Sequence, residues 1–188
     1  MKKALFIIAA IATCMTANAK YWFSGSLGFE TTSQYGTDEK GRVLELSPAF
    51  GMQIEDEIEL GVELSIKDTK YFRNNSVNTQ QMFSFGFAPF IRYTFFTEGN
   101  FNMFVQGGFE YAIVSPSGFN FWSLSLYAQP GIRYMMSDHF SVQAKFNGLA
   151  FTHMSSPEVG GYPGTTYKNN FGLNADFTAL TFGLVYEF

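Results

Sequence analysis

Apolar and polar residues alternate with a period of two along most of the chain. The clearest run covers residues 58–67, in which every second residue is apolar: Ile58, Leu60, Val62, Leu64 and Ile66. The residues between them are charged or small. Because successive side chains of a β-strand point to opposite faces, this run predicts a strand with one apolar face and one polar face.

Eight segments show this alternation, and we predict a strand for each. They cover residues 21–29, 44–54, 58–67, 83–95, 102–111, 122–134, 140–147 and 180–188. Segments of about 9 to 13 residues match the length that a tilted strand needs to cross a membrane. No run reaches the roughly 18 apolar residues of a membrane-spanning helix.

The connections between the segments differ in length at the two ends. Short polar connections at 55–57, 97–100 and 137–139 alternate with longer ones at 31–43, 68–80, 114–120 and 152–170. Short turns at one end and long loops at the other are typical of a barrel that spans a membrane. The predicted fold class is therefore all-β, an eight-stranded antiparallel up-and-down transmembrane β-barrel in which the last strand pairs with the first.

Aromatic residues make up 19% of the chain, which includes 23 phenylalanines. Girdles of aromatic side chains are expected at both interfaces of a lipid-facing barrel. The alternation predicts one girdle near the short turns and the start of a second toward the other end. The first would contain Tyr21, Phe95, Phe101, Tyr134, Phe140 and Phe188, and the second Tyr111 and Trp122.

The N-terminus has the order of a secretory signal peptide. Lys2 and Lys3 precede an apolar run at 4–12, and Ala17-Asn18-Ala19 forms a small-x-small cleavage site. We predict a signal peptide over residues 1–19 and a barrel over residues 20–188. An alternative is a lipoprotein signal that uses Cys14. Cleavage after Ala19 moves the formal charge from -4 to about -6, and an acidic chain without a basic run argues against nucleic-acid binding.

The C-terminal segment resembles the assembly signal of bacterial outer-membrane barrels. Phe188 is terminal, and Tyr186, Leu184, Phe182 and Leu180 precede it at alternate positions. In layout the chain resembles the small outer-membrane β-barrel family that includes OmpA-like and OmpX-like proteins. The resemblance implies location in the outer membrane, contact with its lipids, and recognition of the last strand by the barrel-assembly machinery.

Charged residues on the polar faces are predicted to point into the barrel. A barrel of eight strands is just wide enough for side chains to fill, so paired charges would form a plug. The alternative is an ion path or a binding site inside the barrel. The predicted inward charges are Glu30, Glu45, Glu59, Glu63, Lys67, Arg92, Glu110, Arg133, Lys145 and Glu187, with Glu59, Arg92, Arg133 and Glu187 at the same end.

Proline recurs at intervals of 41 residues, at Pro48, Pro89 and Pro130. The last two stand in similar frames, residues 89–93 and 130–134, each of which ends in Ile-Arg-Tyr. Proline cannot donate a hydrogen bond to a neighbouring strand, so a bulge or local bend is expected at each.

Residues His153 and Ser155, with Glu158 nearby, resemble the His-x-Ser motif of lipid A deacylases, which are also eight-stranded barrels. The resemblance implies Ser155 as nucleophile and His153 as base. The chain departs from the pattern in three ways. Ser156 replaces an asparagine, Glu158 is closer than the usual acid, and continued alternation along the seventh segment would point His153 and Ser155 inward, away from a lipid substrate.

The sequence as a whole favours a non-enzymatic outer-membrane protein, with an envelope-structural role or an adhesion or binding role through its longer loops. External ligands would then bind at those loops. The alternatives are a lipid A-modifying enzyme and a small passive channel. No catalytic residue, cofactor site or metal site is predicted, because the two histidines lie near opposite ends of one segment and no glycine-rich phosphate loop is present.

Overall fold

Ten β-strands make up the regular structure of the described part of the chain. A computed structural model describes residues 20–33, 39–73, 80–116, 121–146, 148–156, 166–173 and 180–188. The strands are β1 (Tyr21–Ser33), β2 (Glu39–Glu55), β3 (Ile58–Arg73), β4 (Gln80–Glu98), β5 (Phe101–Pro116), β6 (Phe121–Met135), β7 (Phe140–Phe146), β8 (Leu149–Ser156), β9 (Thr166–Leu173) and β10 (Leu180–Glu187).

The strands close into a ring with eight positions. The order β5-β4-β3-β2-β1-β10-β7-β6 returns to β5 because β5 also pairs with β6, and every pairing is antiparallel. Strands β8 and β9 pair with each other, and β8 continues along β6 beyond the end of β7. The predicted eight-stranded up-and-down barrel is therefore confirmed.

The last strand lies between the first strand and β7. Its register on β1 runs from Trp22 opposite Glu187 to Phe29 opposite Leu180. The backbone N–H of Phe188 donates to the carbonyl oxygen of Tyr21 at 2.9 Å. The last strand thus pairs with the first and completes the ring, as the need to satisfy every backbone hydrogen bond in a membrane predicted.

Most strands are longer than the apolar alternation indicated. Strand β4 has 19 residues and β2 has 17, because pairing continues through polar residues beyond the apolar band. Much of the predicted long connections 31–43, 68–80 and 152–170 is therefore strand, including the first part of β9. The three short connections are confirmed as tight turns, and Gly99 adopts a left-handed conformation (φ 56°) in one of them.

The two faces of the barrel differ in the way the sequence predicted. Large apolar side chains cover the outside, for example Leu27 at 61% exposure and Phe182 at 61%. Small, polar and charged side chains are buried on the inside, together with a few large aromatic ones. In a membrane the apolar exterior contacts lipid, which is the arrangement expected of a transmembrane barrel.

The three prolines interrupt the hydrogen-bonded ladder on the same side. Pro48, Pro89 and Pro130 each pair with the preceding strand, yet within the described strands neither the proline nor the residue before it pairs with the following one. Of the bulge or local bend predicted at each proline, no bulge lies at Pro48 or Pro89, because the register shifts lie further along, at 53/55 and 94/96. Proline leaves a gap in pairing there without adding a residue.

A register shift does occur opposite Pro130, between β7 and β8, which both pair with β6. The shift reverses which residues face outward from one of these strands to the next. Ala128 pairs with Leu149, whereas Gly131 pairs with Lys145, so one extra residue lies between β7 and β8. The residues that face outward therefore have even numbers in β7 and odd numbers in β8. The prediction that His153 points inward is wrong for this reason. His153 lies opposite the exposed Leu124 and contacts the ring of Trp122 at 5.7 Å, on the outer face.

The predicted signal peptide, residues 1–19, and the side chain of Glu30 lie outside the described residues. No helix in the described part of the chain is long and apolar enough to cross a membrane.

Candidate functional site

A cluster of four charges closes the inside of the barrel near the short turns. We call Glu59, Arg92, Arg133 and Glu187 the lower charge cluster. Glu59 accepts hydrogen bonds from Arg92 Nη1 at 2.9 Å and from Arg133 at 2.8 and 3.1 Å. Glu187 Oε1 lies 3.7 Å from Arg133 Nη1. The predicted convergence of these four residues at one end is confirmed, and the two charges of each sign cancel.

Three aromatic rings surround the guanidinium of Arg92. The ring centroids of Trp22, Phe90 and Phe104 lie 5.2, 5.5 and 4.4 Å from Arg92 Cζ. Cations are attracted to aromatic faces, most strongly where water is excluded. Arg92 also donates to Gln106 Oε1 at 2.8 Å. We call the three rings the aromatic layer. With the lower charge cluster it buries Arg92 to 1% exposure.

Each ring of the aromatic layer lies over a glycine of the neighbouring strand. Trp22 pairs with Gly51, and a Cβ atom at Gly51 would lie 2.3 Å from the Trp22 ring. Phe90 covers Gly61 and Phe104 covers Gly131 in the same way, at 2.5 and 2.3 Å. Large rings fit inside an eight-stranded barrel because these facing positions carry no side chain.

The 41-residue repeat places the two arginines. Arg92 and Arg133 each follow a proline by three residues, on β4 and β6. These strands run in the same direction, so the repeat brings both guanidinium groups to the same height, where they share the carboxylate of Glu59. In the first repeat the equivalent position is Gly51, which accommodates Trp22. The repeat therefore places one glycine and two arginines in the lower part of the barrel interior.

Further charge pairs lie above the aromatic layer. Lys145 Nζ donates to Glu63 Oε2, and Lys67 Nζ lies 3.7 Å from Glu45 Oε1 and 3.6 Å from Glu110 Oε1. Every predicted inward charge whose side chain is described therefore has an oppositely charged partner inside the barrel. The sequence predicted that these residues face inward, but it did not predict which pairs form. Partners lie up to 82 residues apart, and barrel closure determines their heights.

A cavity of about 280 Å³ occupies the interior above the aromatic layer. It is mostly polar, and its charged walls are the upper pairs just described. Ser65 is buried there, and its hydroxyl has no hydrogen-bond partner among the described atoms. Internal water suits such a space. The lining includes Glu45, Glu63, Lys67, Glu110, Tyr127 and Lys145.

The His-x-Ser segment lies on the other side of the barrel wall. His153 is on the outer face next to Trp122, which in turn stacks on Tyr111 at 6.4 Å between ring centroids. The side chains of Ser155 and Glu158 lie outside the described residues. These outer aromatic rings confirm the start of the second predicted girdle.

A closed ring of antiparallel strands with an apolar exterior and a charge-paired interior defines a transmembrane β-barrel protein. Comparison with protein families identifies the family. The model of the family described as "Outer membrane protein beta-barrel domain" matches residues 4–188, and the chain belongs to this family. The protein is therefore an outer-membrane protein. A search of curated proteins finds no match.

Solved structures share the fold at low sequence identity. The chain is similar to the outer membrane protein W of E. coli, at 15% identity and a TM-score of 0.55. It is also similar to Neisserial surface protein A (NspA), at 14% identity and a TM-score of 0.54. These alignments cover 93% and 92% of this chain, respectively, and 100% of each solved chain. The outer membrane protein OprG from Pseudomonas aeruginosa is 12% identical, with a TM-score of 0.52, and 92% of this chain and 96% of that one are covered.

Proposed function

We propose that this protein is a non-enzymatic, non-conducting outer-membrane barrel that binds external ligands through the connections opposite its short turns. The lower charge cluster and the aromatic layer are the observation that carries the proposal. Both arginines are buried and paired, and three rings pack around Arg92. An ion crossing the barrel would have to separate these pairs and displace the rings. This arrangement favours a scaffold over a channel.

The strand extensions support a role at the cell surface. In β2, β3 and β4, pairing continues beyond the apolar band, so the ends opposite the short turns project past the membrane boundary. In outer-membrane barrels the short turns are periplasmic and the longer loops extracellular. The connections at 34–38 and 74–79 join the ends of these extended strands, and we propose that external ligands bind to them.

Binding by intact bacteria tests this proposal. Cells that express the protein should adhere to an immobilised extracellular-matrix protein or glycan more strongly than cells without it. Replacing the connections 34–38, 74–79, 117–120, 157–165 and 174–179 with short Asn-Gly-containing turns should abolish the difference. The matched control replaces residues 99–100, in a periplasmic turn, and should leave adhesion intact. Adhesion that survives replacement of all five connections would contradict the proposal.

The outward position of His153 favours a second candidate, a lipid-modifying enzyme. One of the three departures from the deacylase pattern no longer applies, because His153 faces the membrane side of the wall. Mass spectrometry of lipid A from cells with the protein, without it, and with His153→Ala separates the two candidates. We expect identical lipid A in all three. Loss of an acyl chain that requires His153 would place the enzyme first.

A further inference from the structure

Two basic residues lie directly opposite each other on the outer wall of the barrel. Arg42 on β2 pairs with Lys70 on β3. Alternation places Arg42 on the face that carries Leu44 and Leu46, and Lys70 on the face that carries Ile66, so both point outward. Like charges directly opposite on one face of a sheet repel and are destabilising. Such a pair is stable when an anion lies between or beside the two groups.

The neighbouring residues neutralise only part of this charge. Asp68 Oδ2 lies 3.7 Å from Lys70 Nζ, and Asp68 Oδ1 also accepts a hydrogen bond from Gln81 Nε2 at 2.7 Å. Among the described residues, Arg42 has no carboxylate within ion-pair distance, and it is exposed. The group therefore carries an excess positive charge that faces the surroundings of the barrel rather than its interior.

The basic pair lies at the upper edge of the lipid-facing band. On β2 the exposed apolar residues extend from Ile54, next to a short turn, to Leu44. Ten residues of tilted strand rise by roughly 25 Å, which is the height of the apolar band of such barrels. Arg42 is the next outward residue and so lies at the outer-leaflet boundary. The Lys, Arg, Asp and Glu side chains described as facing outward at this end all lie on β2 and β3: Arg42, Asp68 and Lys70.

We infer that Arg42 and Lys70 bind a phosphate group of lipid A in the outer leaflet. A guanidinium offers two parallel donors to phosphate oxygens, and an ammonium adds a point charge. Basic residues just above an apolar surface bind anionic lipid headgroups. Directly beneath this pair, the exposed side chains of Leu44, Leu46 and Phe83 can contact acyl chains. A molecule with a phosphate above several acyl chains matches both features. This inference rests on the outer-membrane location and is independent of the proposed binding by the loops.

Native mass spectrometry of the purified full-length protein in uncharged phosphatidylcholine nanodiscs can test this site. The probes are bisphosphorylated lipid A and dephosphorylated lipid A with the same acyl chains. We expect the protein to prefer the phosphorylated form by about tenfold or more. The double variant Arg42→Gln with Lys70→Gln should lose this preference. Lys20→Gln removes one positive charge from an exposed position near the short turns, which matches the single variant Arg42→Gln, and should retain the preference.

Equal binding of the two lipids by the unmodified protein would overturn the inference. An unchanged preference in the double variant, or an equal loss of preference in Lys20→Gln, would also overturn it. If the double variant does not fold, Arg42→Gln alone should still lose most of the preference. Millimolar inorganic phosphate should leave bound lipid A in place. Its displacement by phosphate would indicate a site for free anions and contradict the assignment to a membrane lipid.

Discussion

At the scale of single residues, Glu59 links the two buried arginines of the barrel interior. Its two carboxylate oxygens accept hydrogen bonds from two buried arginines on strands β4 and β6. Removing one partner of a buried ion pair is costly because the remaining charge stays buried without compensation. Here one carboxylate pairs with both guanidinium groups, and Glu187 adds a longer contact to Arg133. The sequence alone shows an acidic residue on a polar face but not this double role.

We therefore predict that Glu59→Gln lowers the free energy of unfolding by about 3 kcal/mol. Glu187→Gln is the matched control, because its carboxylate is 3.7 Å from Arg133 and more exposed. Its cost should stay under about 1 kcal/mol. Urea unfolding in lipid vesicles, followed by tryptophan fluorescence, measures both changes. Equal costs for the two variants would show that Glu59 does not have this central role.

At the scale of the strands, alternation predicts much of the fold and fails where one residue is added. Outward Ile58, Leu60 and Val62 and inward Glu59 and Glu63 follow directly from the period of two. His153 does not, because the extra residue between β7 and β8 reverses the faces. Strand β9 has no apolar alternation to mark it, and only its antiparallel pairing with β8 identifies it as a strand.

The close approach of two strands at this bulge gives a second prediction. A Cβ atom at Gly148 would lie 2.0 Å from the carbonyl oxygen of Ala128, which cannot move without shifting β6. Gly148→Ala should therefore cost about 1–3 kcal/mol. Gly25→Ala is the control, since its Cβ would meet no atom within 4 Å. The same unfolding assay compares them, and a neutral Gly148→Ala would show that the bulge is not tightly packed.

At the scale of the whole molecule, barrel closure unites these features. The first and last strands pair, and the rings of Tyr186 and Phe188 pack at 5.1 Å between centroids beside Phe140. The sequence could predict which charged residues face inward within each unbroken strand, since that needs only local alternation. It could not predict that Lys145 pairs with Glu63, because their relative height depends on the stagger of all eight positions.

We propose that the terminal strand also directs assembly, and Phe188 provides the test. Deleting Phe188 removes its hydrogen bond to Tyr21 and its ring contact with Tyr186. We predict less folded, heat-modifiable protein in the outer-membrane fraction. Phe109→Ala removes an exposed phenylalanine from a different strand and should assemble normally. Normal insertion of the Phe188 deletion would exclude this residue from the assembly signal.

The most direct test of the central claim is the conductance of purified protein in planar lipid bilayers. With the lower charge cluster and the aromatic layer in place, we expect no steady current through the unmodified barrel. Arg92→Ala combined with Arg133→Ala removes both buried cations and opens space beside the rings, so small and flickering currents should appear. A stable, ohmic pore in the unmodified protein would contradict the plugged interior and make a channel the better interpretation.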